Sequence, residues 1–224
     1  MSMKRLLVAG ATGRLGEAVL NEALARGGFD EVVALGATQA DLSAAIRGLV
    51  LKPLDALPAL DAVVIVLGDP DEPGARSFHG RDAPFALIDA QAMPRLAAAA
   101  SQAGARRLIL IHPLPAWQQM SGLHRGLIGD AELEVSRLPF ETTVLIRPLA
   151  ASRAPGGPWL QRIAHIYLSL QWLMMPRSLP ALTSAQVARA AIAQLHAAPA
   201  GLSALGAANI EALLTAPGPV EPRR

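Results

Sequence analysis

Cysteine is absent from the 224 residues, which excludes a disulfide scaffold and a thiolate-ligated metal site. Tyrosine occurs once, as Tyr167, and lysine twice, as Lys4 and Lys52. Charge of one sign is also lacking: 20 basic residues face 18 acidic ones, for a formal net charge of +2. The basic residues are almost all arginines scattered along the chain, so the pI of about 9.6 reflects how high arginine titrates rather than a basic stripe. No nucleic-acid partner is expected on that distribution. Long hydrophobic runs are missing as well. The most apolar stretch, 163–175, is interrupted by His165, Ser169 and Gln171, short of the ~20 residues that a spanning helix needs. The N-terminal Met-Ser-Met-Lys-Arg leads into a strand and not into a signal-peptide core. A soluble, cytoplasmic protein without a membrane span is the expectation.

What is present is a large apolar fraction, 52% of residues, which at so small a net charge excludes disorder and suffices for a full core. At roughly 150 residues per domain, one domain over 1–215 is expected, with a flexible Pro-rich tail at 216–224. Short continuous apolar runs read as strands at Arg5–Ala9, Glu31–Leu35, Ala62–Leu67, Arg107–Ile111 and Thr142–Ile146, with a weaker one at Leu49–Leu51. Ala-rich stretches at 14–26, 39–47, 84–103, 125–137 and 184–197 read as helices. The alternation predicts a doubly wound α/β fold: a Rossmann-like parallel sheet with helices on both faces. After Arg147-Pro148 the alternation stops, and 149–215 is expected to form a small C-terminal helical lobe. Its apolar helix at about 160–175 suits ordinary core packing first and a homodimer interface second.

Residues 5–17, RLLVAGATGRLGE, run a strand into Gly10-x-x-Gly13-x-x-Gly16 and straight into a helix. This is the setting of a dinucleotide site. Gly10 permits the tight turn, Gly13 lets backbone approach a pyrophosphate, and Gly16 lets the helix pack closely. The helix N-terminus then presents N–H groups and a positive dipole end to phosphate. The second strand ends in Leu35-Gly36-Ala37-Thr38, with no acidic residue for a ribose 2′-hydroxyl. Arg14 could reach a 2′-phosphate, or could be a solvated first-turn arginine. NADP is therefore favoured, with NAD the alternative.

The segments GATGRLG, VVIVLG (63–68), RLILIHP (107–113) and VLIRP (144–148) together resemble the atypical short-chain dehydrogenase/reductase superfamily. The likeness is greatest to its NmrA-like and Tat-interacting-protein-like branch. The resemblance implies an NAD(P)-binding Rossmann protein. Gly10, Thr12, Gly13, Arg14, Leu15 and Gly16 would line the pyrophosphate, and Leu67 and Gly68 the adenosine ribose. Ile111, His112, Arg147 and Pro148 would approach the nicotinamide end.

Active members of that superfamily use a Ser and a Tyr-x-x-x-Lys pair. Tyr167 is followed four residues on by Gln171, so no such pair exists in this chain. Alignment by eye from the VLIRP strand places the tyrosine position at His124 and the lysine position at Ile128; the serine position falls on His112. Two histidines at proton-handling positions suit acid/base work near neutral pH, or they simply fill a vacated pocket mouth. The missing pair implies a dinucleotide-binding sensor or regulator. The alternatives are an atypical NAD(P)H-dependent oxidoreductase or isomerase, using His124 and His112 on a small apolar substrate, and a cofactor-free interaction domain. Asp69, Asp71 and Glu72 read as a solvated loop rather than a metal site, and Asp82 as the cap of the helix from about Pro84. His79, His165 and His196 read as incidental, and Trp117, Trp159 and Trp172 as core or pocket wall.

Overall fold

A computed structural model describes residues 3–36, 48–68, 74–79, 81–82, 85–115, 118–119, 125–150 and 182–215. The expected helix at 39–47, the apolar stretch 159–174, His124, His165, all three tryptophans, the acidic loop 69–73 and the tail lie outside the described residues.

The chain order is β1 (Arg5–Ala9), α1 (Gly13–Arg26), β2 (Glu31–Leu35), β3 (Leu49–Lys52), β4 (Ala62–Val66), β5 (Ser77–Phe78) and β6 (Arg81–Asp82). It continues with α2 (Met93–Gln102), β7 (Arg107–Ile111), α3 (Gly129–Ser136), β8 (Thr142–Arg147), α4 (Ser184–Ala197), β9 (Gly201–Gly206) and α5 (Ala207–Thr215). Seven strands form one parallel sheet in the order β3-β2-β1-β4-β7-β8-β9, and β5 and β6 make a separate antiparallel pair. The sheet is doubly wound, as the alternation predicts. Its order reverses between β1 and β4, which opens a crevice beyond their carboxyl ends.

Successive side chains of a strand point to opposite faces, and here both faces are covered. Leu6 and Val8 of β1 enter one core with Val19, Leu20 and Ala23 of α1, Val187 and Ile192 of α4 and Ile210 of α5. Leu7 and Ala9 enter the other with Leu96, Ala97 and Ala100 of α2 and Val135 of α3. That is why the central strands read as unbroken apolar runs rather than alternating ones; β4, AVVIV, is buried at every position.

Three expectations need correction. The helix placed at 84–103 starts only at Met93, with Pro94 in its first turn, where a missing N–H costs nothing. Residues 85–88 are instead engaged as extended backbone: Ala86 N–H donates to the Leu35 carbonyl and Gly68 N–H to that of Ile88. Asp82 accordingly caps no helix; it lies in β6, paired with Ser77. The helix placed at 125–137 is shorter, Gly129–Ser136, because Gly129 takes φ +76° and the helix forms only after it. Within the stretch expected as a C-terminal lobe, β9 extends the main sheet beside β8, α4 packs on α1, and α5 follows.

Candidate functional site

The β1–α1 turn is built by its glycines. Gly10 has φ +78°, and a Cβ there would stand 2.1 Å from the Val66 carbonyl oxygen of β4. A Cβ on Gly16 would stand 2.1 Å from the Gly10 carbonyl oxygen, so α1 sits directly on the turn that launches it. Gly13 has φ +68°, yet a Cβ there would meet nothing closer than 3.6 Å. Two glycines are therefore needed for packing, while a Cβ on Gly13 would make only ordinary contact with Ala75 and Gly74. Thr12 precedes the helix, but its side chain does not cap it. Its Oγ1 is buried and, among the described residues, has no hydrogen-bond partner.

That turn lines one end of a cavity of about 600 Å³ at the strand ends: Thr12, Gly13, Arg14, Leu15 and Gly16 contribute, and Leu67 and Gly68 follow from the end of β4. The far end is lined by His112 and Pro113 after β7, Pro148 and Leu149 after β8, and Leu182 and Val187 at the start of α4. Gly10, Ile111 and Arg147 do not line it. Leu35 and Gly36 at the end of β2 do not line it either, being engaged with 85–86.

The glycine turn is thus at one end and an ionisable ring at the other. His112 continues from β7, its N–H donating to the Ile146 carbonyl (2.9 Å), and the pairing of the two chains resumes at Leu114 and Leu149. Its imidazole Nδ1 stands 2.8 Å from Oε1 of Glu132 on α3. The Glu132 Oε2 accepts from Arg147 Nη2 at 2.5 Å and from the Ile128 N–H at 2.6 Å. Arg147 Nη1 also donates to the Gly126 carbonyl at 2.6 Å. The Glu132 and Arg147 side chains are 1% and 0% exposed, whereas that of His112 keeps 24%. Burial pulls the Arg147 guanidinium below its ordinary range, and the charge and hydrogen bond of Glu132 oppose that. Gln119, also buried, donates through Nε2 to the Arg147 and Pro148 carbonyls and fixes the end of β8.

Arg147 therefore meets the site through Glu132 and not by reaching into the cavity. Glu132 is the residue that sequence reasoning missed. It lies four residues, about one helical turn, after Ile128, the position that the resemblance gives to lysine. His79, at φ +49°, pairs with Glu17 at 3.0 Å near the glycine turn, and His196 caps α1 through the Gly27 carbonyl at 2.9 Å. Among the described residues no group of three metal-ligating side chains occurs, and no helix is long and apolar enough to cross a membrane.

No protein-family model matches the sequence, and no curated protein matches it. Solved structures do. A Bacillus halodurans protein assigned as an NAD-dependent epimerase/dehydratase is 17% identical with a TM-score of 0.54, over 95% of this chain and 99% of that one. An oxidoreductase of the short-chain dehydrogenase/reductase family from Burkholderia thailandensis is 18% identical with a TM-score of 0.51, over 95% and 94%. At such identities the likeness is one of fold: this chain is a Rossmann-like α/β protein of the architecture those two share.

Proposed function

We propose that this protein binds a nicotinamide dinucleotide across the carboxyl ends of β1, β4, β7 and β8, and that it does so without the Tyr/Lys pair that the resemblance implies for active members of the superfamily. One observation carries the reading: a glycine turn at the topological switch point lines a cavity at the strand ends, together with Thr12, whose buried hydroxyl has no hydrogen-bond partner among the described residues. The turn fits a diphosphate. The first N–H groups of α1 lack intrahelical acceptors, no acidic side chain occupies its first turn, and Arg14 adds a cation at that end. Thr12, Gly13, Arg14, Leu15 and Gly16 would hold the phosphates, Leu67 and Gly68 the adjoining ribose, and His112 and Pro148 would face the ring. Bound there, the dinucleotide supplies hydride chemistry. Arg14 and the absence of an acid at the end of β2 favour NADP over NAD.

Binding alone would serve a sensor or regulator, the role that loss of the Tyr/Lys pair favours. A second reading, an oxidoreductase, is favoured by one specific feature: a histidine oriented by a buried carboxylate at the ring end of the cavity. Titration of NADPH and NADH, followed by reduced-nicotinamide fluorescence, tests the binding reading. Saturable binding that Gly13→Asp abolishes supports it. Absence of binding by both reduced and oxidised forms leaves an interaction domain instead.

A further inference from the structure

The His112–Glu132–Arg147 chain is an expensive arrangement to keep for structure alone. Two charged groups are removed from water, each at a cost of several kcal/mol before their attraction is counted, and the third member is held at the edge of a cavity. A carboxylate on Nδ1 makes that nitrogen the donor, which leaves Nε2 as the ring nitrogen for the cavity. Among the described residues, Nε2 has no hydrogen-bond partner. Glu132 cannot turn away, because its other oxygen is fixed by Arg147 and the Ile128 N–H. Arg147 is in turn anchored on Gly126. The ring is thus oriented by a support that is itself immobilised, which is what a proton-transfer group needs.

The walls around this ring are uncharged: Pro113, Pro115, Pro148, Leu149, Leu182 and Val187. Among the described lining residues, the other ionisable side chain is Arg14, at the glycine-turn end. Among the described residues, a cation at one end and uncharged walls around one proton-carrying ring at the other suit a phosphorylated cofactor followed by a small, uncharged carbonyl compound.

We infer that His112 is the proton donor for reduction of a small apolar aldehyde or ketone, with Glu132 its positioning residue and Arg147 the lock on Glu132. The proposal rests on the oxidoreductase reading above. In the step, protonated His112 gives its Nε2 proton to the carbonyl oxygen as the reduced nicotinamide gives hydride to the carbonyl carbon. The carbon–oxygen π bond is lost, C–H and O–H bonds form, the cofactor leaves oxidised, and water reprotonates the imidazole. Glu132, on α3, accepts from Nδ1 and so orients Nε2 toward the carbonyl oxygen, and Arg147 of β8 faces that carboxylate from behind.

The test uses the full chain, NADPH, and benzaldehyde and cyclohexanone as probes. Wild type is expected to oxidise NADPH in the presence of at least one probe. His112→Ala should lower kcat by about 10²- to 10⁴-fold, leave the NADPH Kd within about twofold, and regain activity when imidazole is added. Glu132→Gln should keep its oxygen on Arg147 and the Ile128 N–H and turn its NH2 to Nδ1, which lowers kcat with the NADPH Kd unchanged and moves the neutral ring to the Nε2–H tautomer; a circular-dichroism melt checks that this variant folds. A readout independent of turnover is nitrogen-15 NMR of the histidine rings: neutral His112 should be the Nδ1–H tautomer in the wild type. NADPH binding with no turnover of either probe overturns the proposal and leaves the binding reading standing. Undiminished turnover in His112→Ala, or an Nε2–H tautomer in the wild type, overturns it too. Failure to bind either dinucleotide, reduced or oxidised, removes both.

Discussion

Glu132 and Arg147 lie fifteen residues apart and meet at 2.5 Å with both side chains out of solvent. Their partnership joins α3 to the end of β8, and neither charge has water to fall back on. Removing one partner deprives the other of this ion pair. Glu132→Ala is expected to cost about 3–5 kcal/mol of stability, because the buried Arg147 loses its ion pair with Glu132. Replacing both, as Glu132→Leu with Arg147→Met, should cost much less than either single change, since an apolar pair avoids the desolvation penalty. Urea denaturation of the two singles and the double closes the cycle. Additive losses in the double variant would show that the two charges do not act as a pair.

This pair also marks the limit of what the sequence discloses. The central strands were legible because burial on both faces demands continuous apolar runs, and Arg107–Ile111 and Glu31–Leu35 stand where those runs do. The glycine turn was legible because each glycine answers a local steric demand. β9 was not, since Gly-Leu-Ser-Ala-Leu-Gly is an edge strand, half exposed and glycine-bounded, with no apolar run to announce it. Glu132 was not, because its neighbour Glu134 on the same short helix is exposed and reads identically. Burial of one and not the other is decided by Arg147 and His112, which the fold brings in from other strands. The start of α2 was misplaced because an Ala-rich composition shows helix propensity, whereas residues 85–88 are claimed by backbone pairing with the ends of β2 and β4.

The three glycines of the turn should respond differently to alanine. At Gly10 and Gly16 a Cβ collides with a backbone carbonyl at 2.1 Å, which only a shift of the β1–α1 turn can relieve. At Gly13 a Cβ would make only ordinary contact with Ala75 and Gly74, and only the positive φ is strained, a cost of roughly 1–2 kcal/mol. Denaturation midpoints should therefore fall further for Gly10→Ala and Gly16→Ala than for Gly13→Ala. Equal losses at all three would contradict the steric account.

Helix α4 begins with a reciprocal cap. The Gln186 N–H donates to Thr183 Oγ1 at 3.3 Å, and the Thr183 N–H donates to Gln186 Oε1 at 2.8 Å. Thr183→Ala removes one half of this box and should cost about 1 kcal/mol. Leu182 and Ser184 flank the cap and line the cavity, so fraying there should also loosen the ring end of the site. Hydrogen exchange of the first turn of α4 should quicken in the variant. Unchanged exchange and unchanged stability would mean that packing of α4 on α1 holds this end unaided.

The proposed preference for NADP turns on Arg14. It is exposed, stands in the first turn of α1, and is the cation at the phosphate end of the cavity. NADPH differs from NADH by one phosphate, and a guanidinium can meet it with charge-assisted hydrogen bonds. At the end of β2, where an acidic residue would repel that phosphate and bind a bare ribose, the chain has Leu35 and Gly36. Arg14→Ala should weaken NADPH by about tenfold, ~1.4 kcal/mol, and leave NADH within about twofold. The NADPH preference of the wild type should also shrink as salt is raised, because an exposed charge pair is screened over about 10 Å at 0.1 M. Parallel losses for both cofactors would place Arg14 on the shared diphosphate instead, and a variant indistinguishable from wild type would make it a solvated surface arginine.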